Sequence, residues 1–116
     1  MAIISSDQLP DKDEYFSLFA TTGWNTNYKA SPEELEKTNQ NSWLVISAYD
    51  GNKLVGFGRV VTDFVLQAMI YDIIVLHEYQ GRGIGTTILS TLVNKYKEQG
   101  IRDIQLYRTR SQIVLF

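Results

Sequence analysis

The hydrophobic and polar positions of this 116-residue chain change their spacing several times, and each change predicts a new element. Residues rich in Val, Ile, Phe, Trp and Tyr occupy 42–49, 53–62 and 69–76, which predicts three strands. An Asp-Gly-Asn turn at 50–52 separates the first two segments and predicts an antiparallel hairpin. A further turn is expected at 63–67, so the three strands follow one another in the sheet.

Apolar residues recur at helical spacing in two parts of the chain. Between 83 and 99 they lie three or four positions apart, and Gly100 follows as a C-cap glycine. A helix is also expected over 10–23, where proline and acidic residues precede apolar positions. Ser31 and Glu34 predict a capping box at the start of a short helix that extends towards Gln40.

The order of these elements indicates the fold class. A minimal strand is expected at 3–4, and another at 101–107 after the long helix. A strand, a helix and a strand in that order predict that 69–76 and 101–107 run parallel. We therefore expect one α/β domain over residues 1–116, with a mixed antiparallel and parallel sheet of about five strands flanked by helices on both faces.

Composition excludes several classes of function. Hydrophobic residues make up 44% and charged residues 21%, as in folded globular domains. The net charge is −2 without a polybasic run, so neither nucleic acid nor a membrane is an expected partner. Cysteine is absent and His77 is the single histidine, which excludes a cysteine nucleophile and predicts no metal site. No signal-like or long apolar segment is present, so a cytoplasmic location is expected.

A glycine-rich segment at 80–86 joins the third predicted strand to the long helix. Glycine allows backbone N–H groups to approach a ligand, and a helix N-terminus favours an anion such as a pyrophosphate. The dinucleotide fingerprint fits poorly, because Thr86 stands where its third glycine belongs when Gly81 and Gly83 start it. A Walker loop fits no better, since the chain has no Gly-Lys pair.

The segment resembles the GCN5-related N-acetyltransferase family, whose signature is Gln/Arg-x-x-Gly-x-Gly/Ala. Gln80, Gly83 and Gly85 match that signature, and segments 72–75 and 84–89 resemble the strand and helix around it. The resemblance implies an acyl-CoA N-acyltransferase-like fold. It also implies transfer of acetyl from acetyl-CoA to a primary amine of a small-molecule or peptide acceptor, without a metal.

The resemblance also implies which residues bind the cofactor. The alternative is that the glycines serve only to turn the chain. These residues are Ile73, Ile74, Val75, Gln80, Gly81, Arg82, Gly83, Ile84, Gly85 and Thr86. In this interpretation the loop amides hold the pyrophosphate, Arg82 adds charge at the rim and Gln80 orients the loop. The backbone of 73–75 pairs with the pantetheine arm, and an N–H near Ile74 stabilises the oxyanion.

Asp72 interrupts an otherwise apolar strand and is the candidate general base. An amine acceptor arrives mostly protonated at neutral pH, so its transfer requires a proton acceptor. A structural role, with the carboxylate hydrogen-bonded to nearby backbone, is the alternative. Strand alternation predicts that Asp72 shares a face with Ile70 and Ile74, while Tyr71 points the other way into the core.

Further candidates for acceptor contact lie in loops. Trp24, Asn25 and Tyr28 follow the first helix, in a region that contributes to the acceptor mouth in the family. The alternative for Trp24 is a core anchor. Arg59 and Asp63 near the end of the hairpin are also candidates, with surface ion pairing as the alternative.

Family members usually continue through another helix and two strands, often marked by Tyr-x-x-x-Gly-Phe, and this sequence has no such motif after 107. We therefore expect a C-terminally shortened domain. An exposed sheet edge then favours a homodimer. The competing hypothesis for function is a domain that binds CoA but is catalytically impaired.

Overall fold

The computed structural model describes residues 3–106 of the chain. Within them the strands are β1 (Ile3–Ser6), β2 (Leu44–Asp50), β3 (Lys53–Thr62), β4 (Gln67–Val75) and β5 (Asp103–Leu106). The helices are α1 (Lys12–Ala20), α2 (Asn25–Tyr28), α3 (Pro32–Gln40) and α4 (Ile84–Glu98), with a 3₁₀ turn at His77–Tyr79. The expectations that concern residues 107–116 fall outside the described residues.

The strands form a single five-stranded sheet whose spatial order, β1-β2-β3-β4-β5, is also their order in the chain. The first four strands are antiparallel neighbours. β5 runs parallel to β4, with Gln67 opposite Asp103 and Ile70 opposite Leu106. The predicted mixed sheet and the predicted parallel pair are both confirmed.

Side chains from the two faces of the sheet form two separate hydrophobic clusters. The cluster under α1 and α3 contains Tyr15, Leu18, Phe19, Leu35, Val45, Leu54, Phe57 and Ile74. The cluster under α4 includes Ile46, Val55, Val60, Ile70, Ile73, Val75, Ile84, Ile88 and Leu92. Because Val45 and Ile46 are neighbours on β2 but belong to different clusters, helices cover both faces.

Local hydrogen bonds explain where the first helices begin. The Asp11 carboxylate accepts from the N–H groups of Asp13 and Glu14, so α1 begins at Lys12. The predicted capping box of α3 is confirmed: the Ser31 hydroxyl accepts from the Glu34 N–H at 3.1 Å, and the Glu34 carboxylate accepts from the Ser31 N–H at 2.9 Å. These bonds satisfy amides that the helices cannot pair internally.

The α2 turn and the 3₁₀ turn were not predicted. The Asn25 side chain closes the α2 turn, donating to the Ala30 carbonyl at 3.1 Å and accepting from its N–H at 2.8 Å. Lys29 ends the turn in a left-handed conformation. Both turns are too short to show a hydrophobic period, so periodicity alone does not reveal them.

Two glycines of β3 allow α4 to pack closely on the sheet. A methyl group added at Gly58 would lie 2.8 Å from Ile73 Cδ1 and 2.9 Å from Ile88 Cγ2. One added at Gly56 would lie 3.0 Å from Ile88 Cδ1. The contacts at Gly58 are shorter than real Cβ atoms show, and the contact at Gly56 is tight enough that Ile88 would have to shift, so these glycines allow the close approach of α4 to β3.

A bulge interrupts the pairing of β3 with β4. The pairs on either side of it are Phe57 with Ile74 and Arg59 with Tyr71. Gly58 therefore faces two residues, Asp72 and Ile73. Asp72 is the extra residue and adopts φ 58°, a left-handed conformation that bulges usually reserve for glycine.

The bulge overturns the expected alternation along β4. Ile70 packs in the cluster under α4 and Ile74 in the cluster under α1, so Asp72 cannot share one face with both. The prediction that Tyr71 points away from Asp72 was also wrong. The Arg59 guanidinium bonds to Asp72 and lies 5.0 Å from the centre of the half-buried Tyr71 ring, so both side chains lie on its side of the sheet.

We expect Gly58→Ala to lower the free energy of unfolding by about 1–3 kcal/mol, because the new methyl group overpacks the contact between α4 and the bulge. Chemical denaturation monitored by circular dichroism measures this change. Ile73→Val removes the methyl group nearest to the new side chain, so adding it to Gly58→Ala should restore part of the loss. Equal stability of wild type and Gly58→Ala would contradict the steric account.

Candidate active site

The loop between β4 and α4 owes its path to two glycines. Gly81 has φ 78° and Gly83 has φ 82°, a region that other residues rarely adopt. Gly83 is also the N-cap of α4 and provides no side-chain cap. Apart from its chain neighbours, no described residue has an atom within 4 Å of the position that a Cβ would take at either glycine, so within residues 3–106 the loop backbone is open to a ligand.

The first amides of α4 precede the hydrogen-bond ladder of the helix. The first bond joins the Thr87 N–H to the Gly83 carbonyl at 3.0 Å. Within residues 3–106 no group accepts from the amides of Ile84, Gly85 or Thr86. These N–H groups and the positive end of the helix dipole can bind an anion.

Three hydrogen bonds hold the loop at its base. The Gln80 side chain donates to the Val75 carbonyl at 3.0 Å and ties the loop to the end of β4. The Leu76 N–H donates to the Val55 carbonyl at 2.9 Å. The Tyr79 hydroxyl donates to the Asp50 carboxylate at 2.6 Å, and this bond raises the pKa of Tyr79.

Cationic side chains surround the same loop. The Arg82 guanidinium lies 5.3 Å from the centre of the Tyr79 ring, and the Lys53 ammonium lies 5.6 Å from it. Both distances are typical of cation–π contacts. Together with the helix N-terminus, these cations make the surroundings of the loop favourable for a polyphosphate.

Among the described residues, β4 is paired on both sides along its first half and on one side along its second half. Its pairing with β5 extends over 67–70, whereas its pairing with β3 continues to Val75. In the part of the chain that the structure describes, no residue pairs with 71–75 on the β5 side. That edge presents backbone N–H and C=O groups to which an extended ligand can bind as an added strand.

Asp72 and Arg59 form an ion pair beside this edge. Arg59 Nε donates to Asp72 Oδ2 at 2.8 Å, and Arg59 Nη1 donates to the Ser42 hydroxyl at 3.1 Å. The two side chains are only 16% and 21% exposed, so the pair is not the surface contact that was the alternative for Arg59. The structure thus brings two of the predicted site residues together.

Asp63 has a different role from Arg59. Its Oδ1 accepts from the N–H groups of Val65, Leu66 and Gln67 and shapes the turn between β3 and β4. These backbone hydrogen bonds lower the pKa of Asp63. The side chain therefore stabilises the turn.

Tyr15 is a polar residue near the ion pair that the sequence analysis did not place in the site. Its ring packs edge-on against Phe57 at 4.6 Å, and the residue is only 1% exposed. No described residue forms a hydrogen bond with its hydroxyl. Burial raises the pKa of Tyr15 well above its ordinary value; the charge of Asp72 adds to this rise and that of Arg59 opposes it. In the sequence Tyr15 resembles any apolar position of α1, so no signal marked it.

The loop proposed to meet the acceptor lies beyond α1. Trp24 and Tyr28 lie around Phe19, with ring centres 5.8 and 6.3 Å from it. Trp24 is half-buried and Tyr28 is exposed, whereas the amide of Asn25 is occupied by Ala30. Contact of these three residues with an acceptor stays a prediction.

The structure also contains a cavity that lies away from this site. A cavity of about 180 Å³ lies at the start of β4, lined in part by Thr62, Gln67 and Gln105, far along the strand from the glycine loop.

Residues 3–106 contain no cluster of three or more His, Asp or Glu side chains able to hold a metal ion. None of the described helices has the length and apolar character to cross a membrane.

Comparison with known proteins assigns the chain to a family. Residues 9–113 match the Acetyltransferase (GNAT) family. This chain belongs to that family. A GNAT acetyltransferase of Streptococcus pneumoniae has a similar structure, with 28% identity and a TM-score of 0.77 over 96% of this chain and 79% of the other. The PaiA N-acetyltransferase of Thermoplasma acidophilum, solved with coenzyme A, shares the fold at 20% identity and a TM-score of 0.79, over 98% and 84% of the two chains.

Two curated relatives show how much of a longer protein the match covers. An uncharacterized ycf52-like N-acetyltransferase of Prochlorococcus marinus is 28% identical over 109 residues, which are 90% of this chain and 59% of the relative. GCN5-related N-acetyltransferase 2 of Arabidopsis thaliana is 38% identical over 64 residues, 55% of this chain and 24% of the relative. The Arabidopsis relative is chloroplastic, and the cytoplasmic location stays a prediction for this chain.

The buried side chain of Tyr15 should make stability fall at high pH. Unfolded Tyr15 loses its proton near 10.0, whereas the folded protein keeps it protonated, so pH above that value favours unfolding. The stabilisation from Tyr15 is fully present below this pH. Above it, the free energy of unfolding falls by up to about 1.4 kcal/mol per pH unit. Denaturation from about pH 8 to about pH 11 should show a shallower decline in Tyr15→Phe. Tyr28→Phe, at an exposed position, is the control; an unchanged decline in Tyr15→Phe would contradict this account.

Proposed function

We propose that this chain binds acetyl-CoA and transfers its acetyl group to a primary amine of a small-molecule or peptide acceptor. The observation that carries the proposal is the open amide row at the start of α4, beside the edge of β4 that lacks a described partner. The family and its named N-acetyltransferases support this activity. Structural neighbours solved with coenzyme A, PaiA and an aminoglycoside 6'-N-acetyltransferase, support the choice of ligand.

The residues of the loop fit a diphosphate. In this proposal the amides of the loop glycines, Ile84 and Thr86 bind it, Arg82 adds charge at the rim and Gln80 braces the loop from Val75. The edge at 73–75 pairs with the pantetheine arm. The cofactor supplies an acetyl group activated as a thioester, and the chain supplies binding and orientation.

Attack on the thioester requires a neutral amine. In this proposal Asp72 is the proton acceptor, directly or through a water molecule. Its Oδ2 is bonded to Arg59, while no described residue donates to Oδ1. A backbone N–H near Ile74 would stabilise the oxyanion that forms as the amine attacks.

Cofactor binding is tested by calorimetry with acetyl-CoA on wild type, Gly83→Ala and Gly100→Ala. Gly83 and Gly100 have similar φ, 82° and 74°, free space around them, and positions at opposite ends of α4. Each substitution should cost about 1–2 kcal/mol of stability, because alanine is strained at positive φ. Only Gly83→Ala should weaken acetyl-CoA binding, by about tenfold.

Absence of heat with wild type at millimolar acetyl-CoA would refute the cofactor assignment. Equal weakening by Gly83→Ala and Gly100→Ala would assign the loss to general destabilisation and would contradict a site at the start of α4.

Turnover is tested separately, by following thiol release from acetyl-CoA with a panel of primary amines and peptides. We expect release that depends on the acceptor and falls in Asp72→Asn, because the amide cannot accept the proton. Glu33→Gln, which neutralises an exposed carboxylate on α3, is the control. Binding without acceptor-dependent release would favour the competing hypothesis of a catalytically impaired CoA-binding domain. A homodimer formed through a sheet edge stays a prediction.

A further inference from the structure

Arg59 joins three segments of the chain. From β3 its Nε reaches Asp72 in the bulge of β4, at 2.8 Å, and its Nη1 reaches the Ser42 hydroxyl just before β2, at 3.1 Å. The guanidinium also lies 5.0 Å from the centre of the Tyr71 ring. One planar side chain therefore contacts Tyr71 and Asp72 at the bulge and connects them to the segment that precedes β2.

The backbone at Asp72 needs such support. A residue with a side chain at φ 58° is strained within a strand, and aspartate tolerates this conformation better than most but less well than glycine. The extra residue faces Gly58, which has no side chain, so support from β3 has to come from a neighbouring position. Among residues 3–106, the hydrogen bond from Arg59 Nε is the polar contact of the Asp72 side chain.

Among the described residues, pairing of β4 with β5 extends from Gln67 to Ile70. Asp72 comes two positions later, at the start of the edge that the proposed function assigns to the cofactor. The backbone angles at Asp72 set the direction of 73–75, because a bulge bends and twists its strand. A change at Asp72 therefore reorients every N–H and C=O group on that edge.

We propose that Arg59 is a positioning residue, which holds the Asp72 bulge and thereby orients the cofactor-binding edge of β4. This inference rests on the proposed function, because that function assigns the edge to the pantetheine arm. Arg59 itself contacts neither the acyl-CoA nor the acceptor in this account. Its effect on binding passes through the backbone of Asp72.

A double-mutant cycle separates this role from direct contact. Arg59→Met removes the support, and we expect acetyl-CoA affinity to fall by about tenfold in calorimetry. Asp72→Gly removes the carboxylate but suits the left-handed backbone, so its affinity should stay within about twofold of wild type. In the Asp72→Gly background, Arg59→Met should then change affinity by less than about twofold.

A matched control is available in the exposed ion pair between Lys12 and Glu33, at 3.3 Å, where the side chains are 37% and 66% exposed. Lys12→Met removes a cation of similar size and should leave acetyl-CoA affinity unchanged. Unchanged affinity in Arg59→Met would overturn the proposal. An equal loss from Arg59→Met in the wild-type and Asp72→Gly backgrounds would also overturn it, because the effect would not pass through Asp72.

A ligand-free measurement keeps this test independent of the proposed function. Amide hydrogen exchange of Ile73, Ile74 and Val75 should accelerate in Arg59→Met by about tenfold and return towards wild type in the double variant. If wild type binds no acetyl-CoA but this pattern appears, the proposed function fails while the positioning of the bulge stands. Unchanged exchange in Arg59→Met would refute the positioning role itself.

Discussion

The close contact of α4 with β3 is the constraint on which the rest of the structure depends. Gly58 faces the bulge of β4 on one side and lies beneath Ile88 and Leu92 of α4 on the other. The helix can approach only because no side chain intervenes, and its N-terminus then lies beside the end of β4. Both halves of the proposed cofactor site, the amides of the helix and the edge of the strand, take their relative position from this packing.

Much of the fold could be predicted because its signals are local. The hairpin between β2 and β3 follows from alternating residues and a turn sequence, and α4 from apolar spacing that ends at Gly100. The capping box needs only Ser31 and Glu34. The loop glycines were predictable for a similar reason, since a strand, a glycine-rich turn and a helix in sequence imply positive φ and open amides.

The remaining features depend on partners that are distant in the chain. Asp72 departs from strand alternation because it is the extra residue of a bulge opposite Gly58 of β3. The sequence of β4 alone cannot reveal this bulge, because it depends on the pairing with another strand. In the sequence Arg59 resembles an ordinary surface charge, because only the bulge in β4 brings Asp72 into contact with it. Tyr15 is a core residue, but its sequence position does not show that it lies near the ion pair, because Asp72 and Arg59 belong to strands far along the chain. These are the points at which tertiary packing overrides local pattern.

The sheet order also has a kinetic consequence. β2, β3 and β4 are joined by short turns, so their pairing closes small loops and loses little chain entropy. β5 can pair with β4 only after the whole of α4 has crossed the sheet. We therefore expect the three-stranded meander to assemble early, while the chain is still being synthesised, and the parallel strand to dock last.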